Sequence, residues 1–178
     1  MGHATPFPPA QLVLPVLIAD FDRKICDDVD EELTRAFGPV ERIGGPLAFS
    51  FTDYYAEEMG PELTRVFFVV RDLVAPDALA DAKIRTNAIE ARFTRDGGRS
   101  VNIDPGLLLP GRFLLATTKD AAHRIPLAGG IYGEITLLYG KGDFRPLPWT
   151  YPDFQSDEYR AILRTIRARY VTELRRRE

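Results

Sequence analysis

The sequence predicts an α+β fold with one mixed, mainly antiparallel sheet. The first half of the chain reads strand–helix–strand–strand–helix–strand, the order of a ferredoxin-like split β-α-β unit. No helical pattern occurs between about residues 94 and 155, and the chain then closes with an amphipathic helix. A doubly wound sheet would need helices in that central stretch. We therefore expect β-hairpins that extend the first sheet or form a second one, with the C-terminal helix packed outside.

The length of the chain, 178 residues, fits one domain. A chain of this size can bury a single core without metals or disulfides. We place the globular domain at residues 11–178. Residues 1–10 are rich in proline and lack the pattern of a signal peptide, and we predict that they form a flexible N-terminal tail.

The first strand and helix follow from two different apolar patterns. Residues Gln11–Ala19 are almost continuously apolar, as in a strand buried on both faces. Pro15 cannot donate to a ladder and indicates a bulge or an edge. Over residues 22–37 apolar side chains recur every four positions, and Gly38 and Pro39 then end the predicted helix.

The middle of the chain alternates strands with one helix. Two short strands, Val40–Ile43 and Leu47–Phe51, and a longer one, Leu63–Val74, are rich in β-branched and aromatic residues. Pro76 is a typical first residue of a helix, which we expect over 76–93. The remaining strands are predicted as Ser100–Asp104, Phe113–Thr117 and two hairpins between His123 and Leu147.

The last helix, over about 156–175, has an apolar stripe and a basic face. Its arginines could bind RNA or an acidic partner. They also suit the negative end of the helix dipole, and the net charge of −3 argues against a general nucleic-acid role. The stripe that we expect to be buried consists of Tyr159, Ile162, Leu163, Ile166, Tyr170, Val171 and Leu174.

Composition excludes several classes of protein. The single cysteine cannot form an intramolecular disulfide, and two histidines cannot supply a metal site of histidines alone. No apolar run approaches the roughly 20 residues that a membrane span needs.

A P-loop is excluded because Ile135 and Gly142 stand where it needs Gly and Ser or Thr. We expect a soluble, cytoplasmic protein without a membrane partner, and the sequence specifies no cofactor, substrate or oligomeric state.

A predicted hairpin carries the strongest candidate site. Gly129 and Gly130 lie between two strand-like runs and form a typical two-residue loop. In that case Ala128 pairs with Ile131. Counting back from this pair sets the other facing residues of the hairpin: Ile125 opposite Glu134, and His123 opposite Thr136.

This register places His123 and Glu134 on one face as diagonal neighbours, with Tyr132 beside them and Arg124 on the opposite face. A carboxylate orients a neighbouring histidine and raises its basicity, so such pairs often transfer protons. We name His123 as the candidate proton-transfer group and Glu134 as its orienting partner. Lys119, and Arg124 if it reaches round the strand edge, could neutralise an anionic substrate. The alternative is a surface sheet face with a cross-strand ion pair.

Asp104 is a further candidate because it ends a strand, and carboxylates at strand ends often face a cleft. With His123 and Glu134 it could complete a two-carboxylate, one-histidine metal set. The sequence Asp104-Pro105-Gly106 also suits an Asx turn, in which the carboxylate bonds backbone amides. We favour the turn and predict no metal site.

Two aromatic segments complete the candidates. Asp53, with the two tyrosines and two glutamates that follow it, could bind a cation or a basic ligand, or could close the edge of the core. Residues 146–152, which we call the Trp149 segment, could cover a pocket, form a recognition surface or staple the last helix to the body. We favour the staple. Cys26 lacks a nearby histidine and is expected to be a small buried residue.

Five strings of the chain carry a resemblance to a known family. The strings are Phe51–Gly60, Asn102–Gly106, Ala116–Asp120, His123–Ile125 and Leu147–Asp153. In this order they resemble an uncharacterised bacterial family, the domain-of-unknown-function family numbered four-four-one-six. The resemblance covers nearly the whole chain after the tail and implies a stand-alone, single-domain protein. It implies no activity, cofactor or catalytic residue.

Three functions fit these features. The first is a small enzyme or binding protein for an anionic small molecule, such as a phosphorylated one, at His123, Glu134 and Lys119. The second is a non-catalytic, partner-binding module that uses the Trp149 segment. The third is an RNA-associated protein that uses the C-terminal arginines. A concave pocket covered by the Trp149 segment would favour the first function, and a flat, exposed His123 would favour the other two.

Overall fold

One antiparallel sheet with helices on both faces forms the centre of the molecule. The computed structural model describes residues 2–3, 5–95 and 97–177. The helices are α1 (Arg23–Phe37), α2 (Ala56–Met59), α3 (Leu79–Glu90) and α4 (Asp157–Arg177), with 3-10 turns at Pro76–Ala78, Ala91–Phe93 and Asp153–Gln155. The strands are β1 (Gln11–Ala19), β2 (Val40–Phe49), β3 (Leu63–Val70), β4 (Thr94–Arg95), β5 (Gly98–Arg99), β6 (Val101–Ile103), β7 (Gly106–Leu109), β8 (Arg112–Thr117), β9 (Ile125–Pro126), β10 (Tyr132–Gly140) and β11 (Asp143–Pro146).

The strand order confirms the α+β prediction. Within the described residues, the main sheet runs β11-β10-β8-β7-β1-β3-β2, while β6 pairs with β1 and β9 pairs with β10. β1 pairs antiparallel with β3 on one side and with β6 and β7 on the other, and β2 pairs antiparallel with β3. This is the order of a split β-α-β core. The later strands extend the same sheet, and β4 and β5 form a small separate hairpin.

β1 lies at the centre of the sheet and is buried along its whole length, as its apolar sequence predicts. Leu12 and Leu14 pack in the core that includes residues of α1 and α3, and Val13 packs in the core that includes residues of α4. Pro15 is at neither an edge nor a bulge of the β1–β3 ladder. On the other side of β1, Pro15 stands where the pairing passes from β6 to β7, and its carbonyl accepts from Asp104 N at 3.0 Å. This interruption positions Asp104.

Several elements differ from the sequence prediction. β2 is one strand rather than two, because register shifts around Gly44 keep both halves paired with β3. The predicted strand Leu63–Val74 ends at Val70. β7 and the short helix α2 were not predicted. β7 begins at Gly106, where a Cβ atom would lie 2.5 Å from the Phe113 ring, so only glycine allows β7 and β8 to approach this closely.

The three long helices lie where the sequence places them. Asp22 accepts from Lys24 N at the start of α1, and Gly38, with a φ of 82°, ends that helix. Cys26 on α1 is fully buried, as expected. The inward positions of α4 confirm the core of the predicted stripe: Tyr159, Leu163, Ile166 and Tyr170 are buried.

In the part of the chain that the structure describes, none of the helices combines the length and the apolar character that a membrane crossing requires.

The packing of α4 predicts how much its buried apolar residues contribute to the free energy of unfolding. Leu163 is fully buried, so Leu163→Ala should lower the free energy of unfolding by about 2–5 kcal/mol, through lost burial and an unfilled cavity. Arg175→Ala, at an exposed position of the same helix, should change it by less than about 0.5 kcal/mol. Urea denaturation measures both values, and equal losses would show that α4 buries a different face.

Candidate functional site

A cavity of about 650 Å³ lies beside the interruption between β6 and β7. Its walls come from the loops that follow β2 and β8, from β3, α3 and β10, and from residues 151–154 ahead of α4. The volume is typical of a small-molecule site. Five cationic side chains, four carboxylates and six aromatic rings are among the lining residues. Charged side chains in a partly buried site are normally paired with opposite charges. A charged lining residue without such a partner is therefore available to a ligand.

Arg65, in the middle of β3, forms one wall of the cavity and is only 1% exposed. Its guanidinium donates from Nη1 to Asp104 Oδ2 at 3.3 Å and from Nη2 to Asp153 Oδ2 at 3.0 Å. Its Nε donates to the Tyr159 hydroxyl at 3.3 Å. The positive charge is therefore compensated by two carboxylates that come from distant parts of the chain.

Burial and charge act against each other around Arg65. Burial raises the pKa of Asp153 above its usual range, although Arg65 lowers it. Burial also raises the pKa of Tyr159 to about 12, so this hydroxyl stays protonated at neutral pH. For Arg65 burial opposes the charge, but Tyr159, Asp153 and Asp104 together keep the pKa of Arg65 above its ordinary value.

Ion pairs continue from Asp104 into α3. The Lys83 ammonium lies 3.9 Å from Asp104 Oδ1 and 3.5 Å from Glu90 Oε1, and it donates to the carbonyl of Ile103 at 2.7 Å. Glu90 Oε1 also accepts from Ile103 N at 2.8 Å. Lys83 and Glu90 are seven residues apart on α3, so both lie on its inward face. These contacts tie α3 to β6 at the edge of the cavity.

Arg99 ends the chain of ion pairs at the surface. It donates to Glu90 Oε2 at 2.7 Å and to the two oxygens of Glu58 at 2.7 and 2.8 Å. Hydrogen bonding to Arg99 lowers the pKa of Glu58 below its usual range. The pair joins α2 to β5, and Arg99 also lines the cavity.

The structure brings His123 and Glu134 together. His123 Nε2 lies 3.2 Å from Glu134 Oε2, and Arg124 Nε donates to the same oxygen at 2.7 Å. Arg124 also donates to the hydroxyl of Tyr151 at 2.7 Å. The side chain of Glu134 is 1% exposed. Its Oε1 is buried and has no hydrogen-bond partner among the described residues.

The predicted hairpin register is wrong by one residue. Leu127 N donates to Ile131 O, which encloses a three-residue loop, and Ile125 pairs with Gly133 rather than with Glu134. Gly129 and Gly130 both adopt positive φ in this loop. As a result Arg124 bonds Glu134 directly, where we had placed it on the opposite face. His123 reaches Glu134 from the turn before β9.

Lys119 lies on the cavity wall in the loop after β8 and is exposed to solvent. Its ammonium contacts the Tyr54 hydroxyl and lies 4.1 Å from the centroid of the Tyr54 ring. Tyr54 comes from the loop after β2, so this contact joins two loops that line the cavity. Among the residues that the structure describes, no carboxylate lies within ion-pair distance of Lys119.

The Trp149 segment lies against the site. The Trp149 ring stacks on His123, with centroids 5.0 Å apart and planes 13° apart, and its Nε1 donates to Ile135 O at 2.8 Å. Ile135 precedes Thr136 at a bulge of β10. Tyr151 and Pro152, at the end of the segment, line the cavity. Burial raises the pKa of Tyr151 to about 12.

Comparison with known proteins gives a family and no activity. The sequence model of the family described as "Domain of unknown function (DUF4416)" matches residues 8–170. The chain belongs to this family. No curated protein matches the chain significantly. No solved structure does so either. The family membership agrees with the resemblance carried by the five sequence strings.

Half of the residues named as candidates from the sequence line the cavity. Those that do are Asp104, Lys119, Arg124 and Glu134. Those outside the lining are Asp53, His123, Tyr132 and Trp149, of which His123 touches Glu134 and Trp149 covers His123. The carboxylate of Asp104 bonds Arg65 and Asn102 rather than the backbone of an Asx turn. Within the described ranges, no group of three His, Cys, Asp or Glu residues is placed to hold a metal ion.

The other charged residues of the cavity were not predicted as site residues from the sequence. Arg65 had a signal, because a single arginine interrupts the apolar strand Leu63–Val70. Lys83 and Glu90 had a weaker signal, because residues seven positions apart lie on the same face of a helix. Arg99 lies in a two-residue strand and Asp153 in a 3-10 turn, and neither element is long enough for a periodicity to indicate which side chains turn inward.

The arginines of α4 are largely paired. Arg160 and Arg164 bond Asp143, and Arg169 bonds Glu41. Arg177 bonds Glu173 on the preceding turn of the helix. Pairing of this kind reduces the positive field that an RNA backbone would meet.

Removing the buried guanidinium should be costly. We expect Arg65→Met to lower the free energy of unfolding by about 3–5 kcal/mol, because it leaves Asp153 buried without its counter-charge. Arg65→Met combined with Asp153→Asn should recover part of this loss. Urea denaturation of both variants is the measurement. A loss below about 1 kcal/mol in the single variant would show that Arg65 is not held as a buried ion.

The pair Glu58–Arg99 predicts a pH dependence of stability. The pKa of Glu58 is lower in the folded protein than its ordinary value of 4.5, so the unfolded chain takes up a proton first as the pH falls. The contribution is therefore complete above that value and is lost as the pH falls through the folded pKa. Glu58→Gln should show a shallower decline of unfolding free energy between about pH 5 and 3 than the native protein. Glu57→Gln is the matched control and should keep the native slope.

Proposed function

We propose that the cavity binds a small anionic molecule, such as a phosphorylated metabolite, with its anionic group at Lys119. One observation carries the proposal. In the described part of the chain, Lys119 is the cationic lining residue without a carboxylate partner, whereas Arg65, Lys83, Arg99 and Arg124 each contact at least one.

The charge balance of the lining supports an anion rather than a cation. Five cationic side chains face four carboxylates. The excess positive charge is on the exposed Lys119, where a ligand can reach it without breaking an ion pair. A lysine ammonium binds phosphate as a point charge with three donors.

We further propose that Glu134 and His123 act as an acid–base pair, with Glu134 toward the ligand. Glu134 lines the cavity, while His123 lies outside the lining and bonds Glu134 Oε2. This reverses the roles expected from the sequence, in which His123 met the substrate. The His123 side chain is 24% exposed, so it can exchange protons with solvent while Glu134 stays buried.

The proposed ligand is a small molecule and not a nucleic acid. The pairing of the α4 arginines and the net charge of −3 support this choice. Trp149 stacks on His123 and donates to Ile135 O, which supports a role for Trp149 in holding His123 rather than as a free docking surface. We propose that the protein meets this ligand in the cytoplasm.

A binding screen tests the proposal. Inorganic phosphate, pyrophosphate and a panel of phosphorylated metabolites are added in thermal-shift assays, and hits are measured by calorimetry. A ligand at a hundred times its Kd should stabilise the protein by about 2.7 kcal/mol. Lys119→Met should weaken binding by roughly tenfold or more, the worth of one charge-assisted hydrogen bond.

The matched control removes a lysine outside the cavity. Lys24 is an exposed residue of α1 that bonds Asp28, so Lys24→Met should bind the same ligand as tightly as the native protein. Equal weakening of binding in both variants would show that the loss comes from the change in net charge and not from a contact at Lys119. Unchanged binding in Lys119→Met would contradict the proposed site.

A further inference from the structure

Among the described residues, no lining cation other than Lys119 is left for a second anionic group. Arg65 is bound by Asp104 and Asp153, and Arg99 by Glu58 and Glu90. The same holds for Lys83 and Arg124, which contact Glu90 and Glu134. A ligand that reaches past Lys119 therefore meets compensated charges, and its remaining groups have to be neutral.

Asp104 offers an oriented acceptor to such neutral groups. Its Oδ2 accepts from Arg65 and from Asn102 Nδ2, the latter at 2.9 Å, and these bonds fix the carboxylate. Its Oδ1 has Lys83 Nζ at 3.9 Å, which exceeds hydrogen-bond length. The side chain is 24% exposed, so a donor in the cavity can reach it.

Glu134 offers a second acceptor. Its Oε1 is buried without a hydrogen-bond partner among the described residues, while Oε2 accepts from Arg124. A buried carboxylate oxygen without a donor is costly. A donor group on the ligand would remove that cost.

Two neutral side chains add donors and acceptors to the lining of the cavity. The hydroxyl of Tyr55 and the amide of Asn87 line the cavity and make no side-chain hydrogen bond among the described residues. Burial raises the pKa of Tyr55, so its hydroxyl remains a donor. Tyr54 and Tyr151 contribute rings on which C–H groups can pack.

We infer that the anionic molecule is a phosphorylated polyol, such as a sugar phosphate, with its phosphate at Lys119 and its hydroxyls on Asp104 Oδ1, Glu134 Oε1 and Tyr55. The inference rests on the proposed function and adds the chemical class of the ligand. Hydroxyls both donate and accept, so they can serve carboxylate, phenol and amide groups together. A phosphorylated molecule without hydroxyls leaves the two carboxylate oxygens unpaired, and a site built for hydroxyls rejects it.

The test compares ligands that differ in one property. Ribose 5-phosphate and glucose 6-phosphate are titrated by calorimetry against n-hexyl phosphate, inorganic phosphate and unphosphorylated glucose. A sugar phosphate should bind at least about tenfold more tightly than n-hexyl phosphate, which has the charge and no hydroxyls. Equal affinity for the two would overturn the inference and leave the anion site standing. Failure of every phosphorylated probe to bind would overturn the proposed function itself.

Two variants locate the hydroxyl contacts. Tyr55→Phe keeps the ring that packs 6.0 Å from Phe49 and removes the hydroxyl alone, so it should fold and bind sugar phosphate about threefold to tenfold more weakly. Its binding of n-hexyl phosphate should not change. Asp104→Asn should act in the same direction. Tyr139→Phe, which removes a hydroxyl outside the cavity lining, is the control, and an equal loss in this variant would contradict the assignment.

Discussion

The positive charge of Arg65 is buried in the middle of the sheet, and the arrangement of the cavity depends on its neutralisation. An uncompensated ion in the interior costs several kcal/mol, and removing one partner of a buried pair costs nearly as much as a large core deletion. Asp104 reaches Arg65 from the break between β6 and β7, and Asp153 and Tyr159 reach it from the start of α4. The folded state therefore requires these distant segments to meet at one guanidinium.

The same requirement explains why the cavity is polar without being strongly charged. Lys83, Glu90 and Arg99 continue the pairing from Asp104 to the surface. Each buried ion is matched by another, so the interior offers hydrogen-bonding atoms rather than free charge. Lys119 differs because water solvates it, and an exposed ammonium needs no partner. Charge and hydrogen-bonding capacity are thus separated along the cavity, which is a basis for selecting one end of a ligand differently from the other.

The elements that the sequence predicts well are those whose burial leaves a periodic pattern. β1, α1 and α4 each bury a defined set of positions, and their ranges agree with the prediction. The predicted register of the hairpin at Gly129 was wrong because the same pair of glycines is compatible with a two-residue loop and with a three-residue loop. The contact between His123 and Glu134 was found nonetheless, because the turn before β9 brings His123 back to the same carboxylate. The position of Asp153 depends on tertiary contacts alone, and no local pattern records them.

The contact of Trp149 with His123 gives the protein an internal optical reporter. Trp149 is the only tryptophan of the chain, so all indole fluorescence comes from this one position. Its ring lies on the imidazole that bonds Glu134, and its N–H donates to the backbone of β10. Indole emission responds to the charge and polarity of the groups stacked on it. A rearrangement of the contact between His123 and Glu134 would therefore change the intrinsic emission of the unlabelled protein.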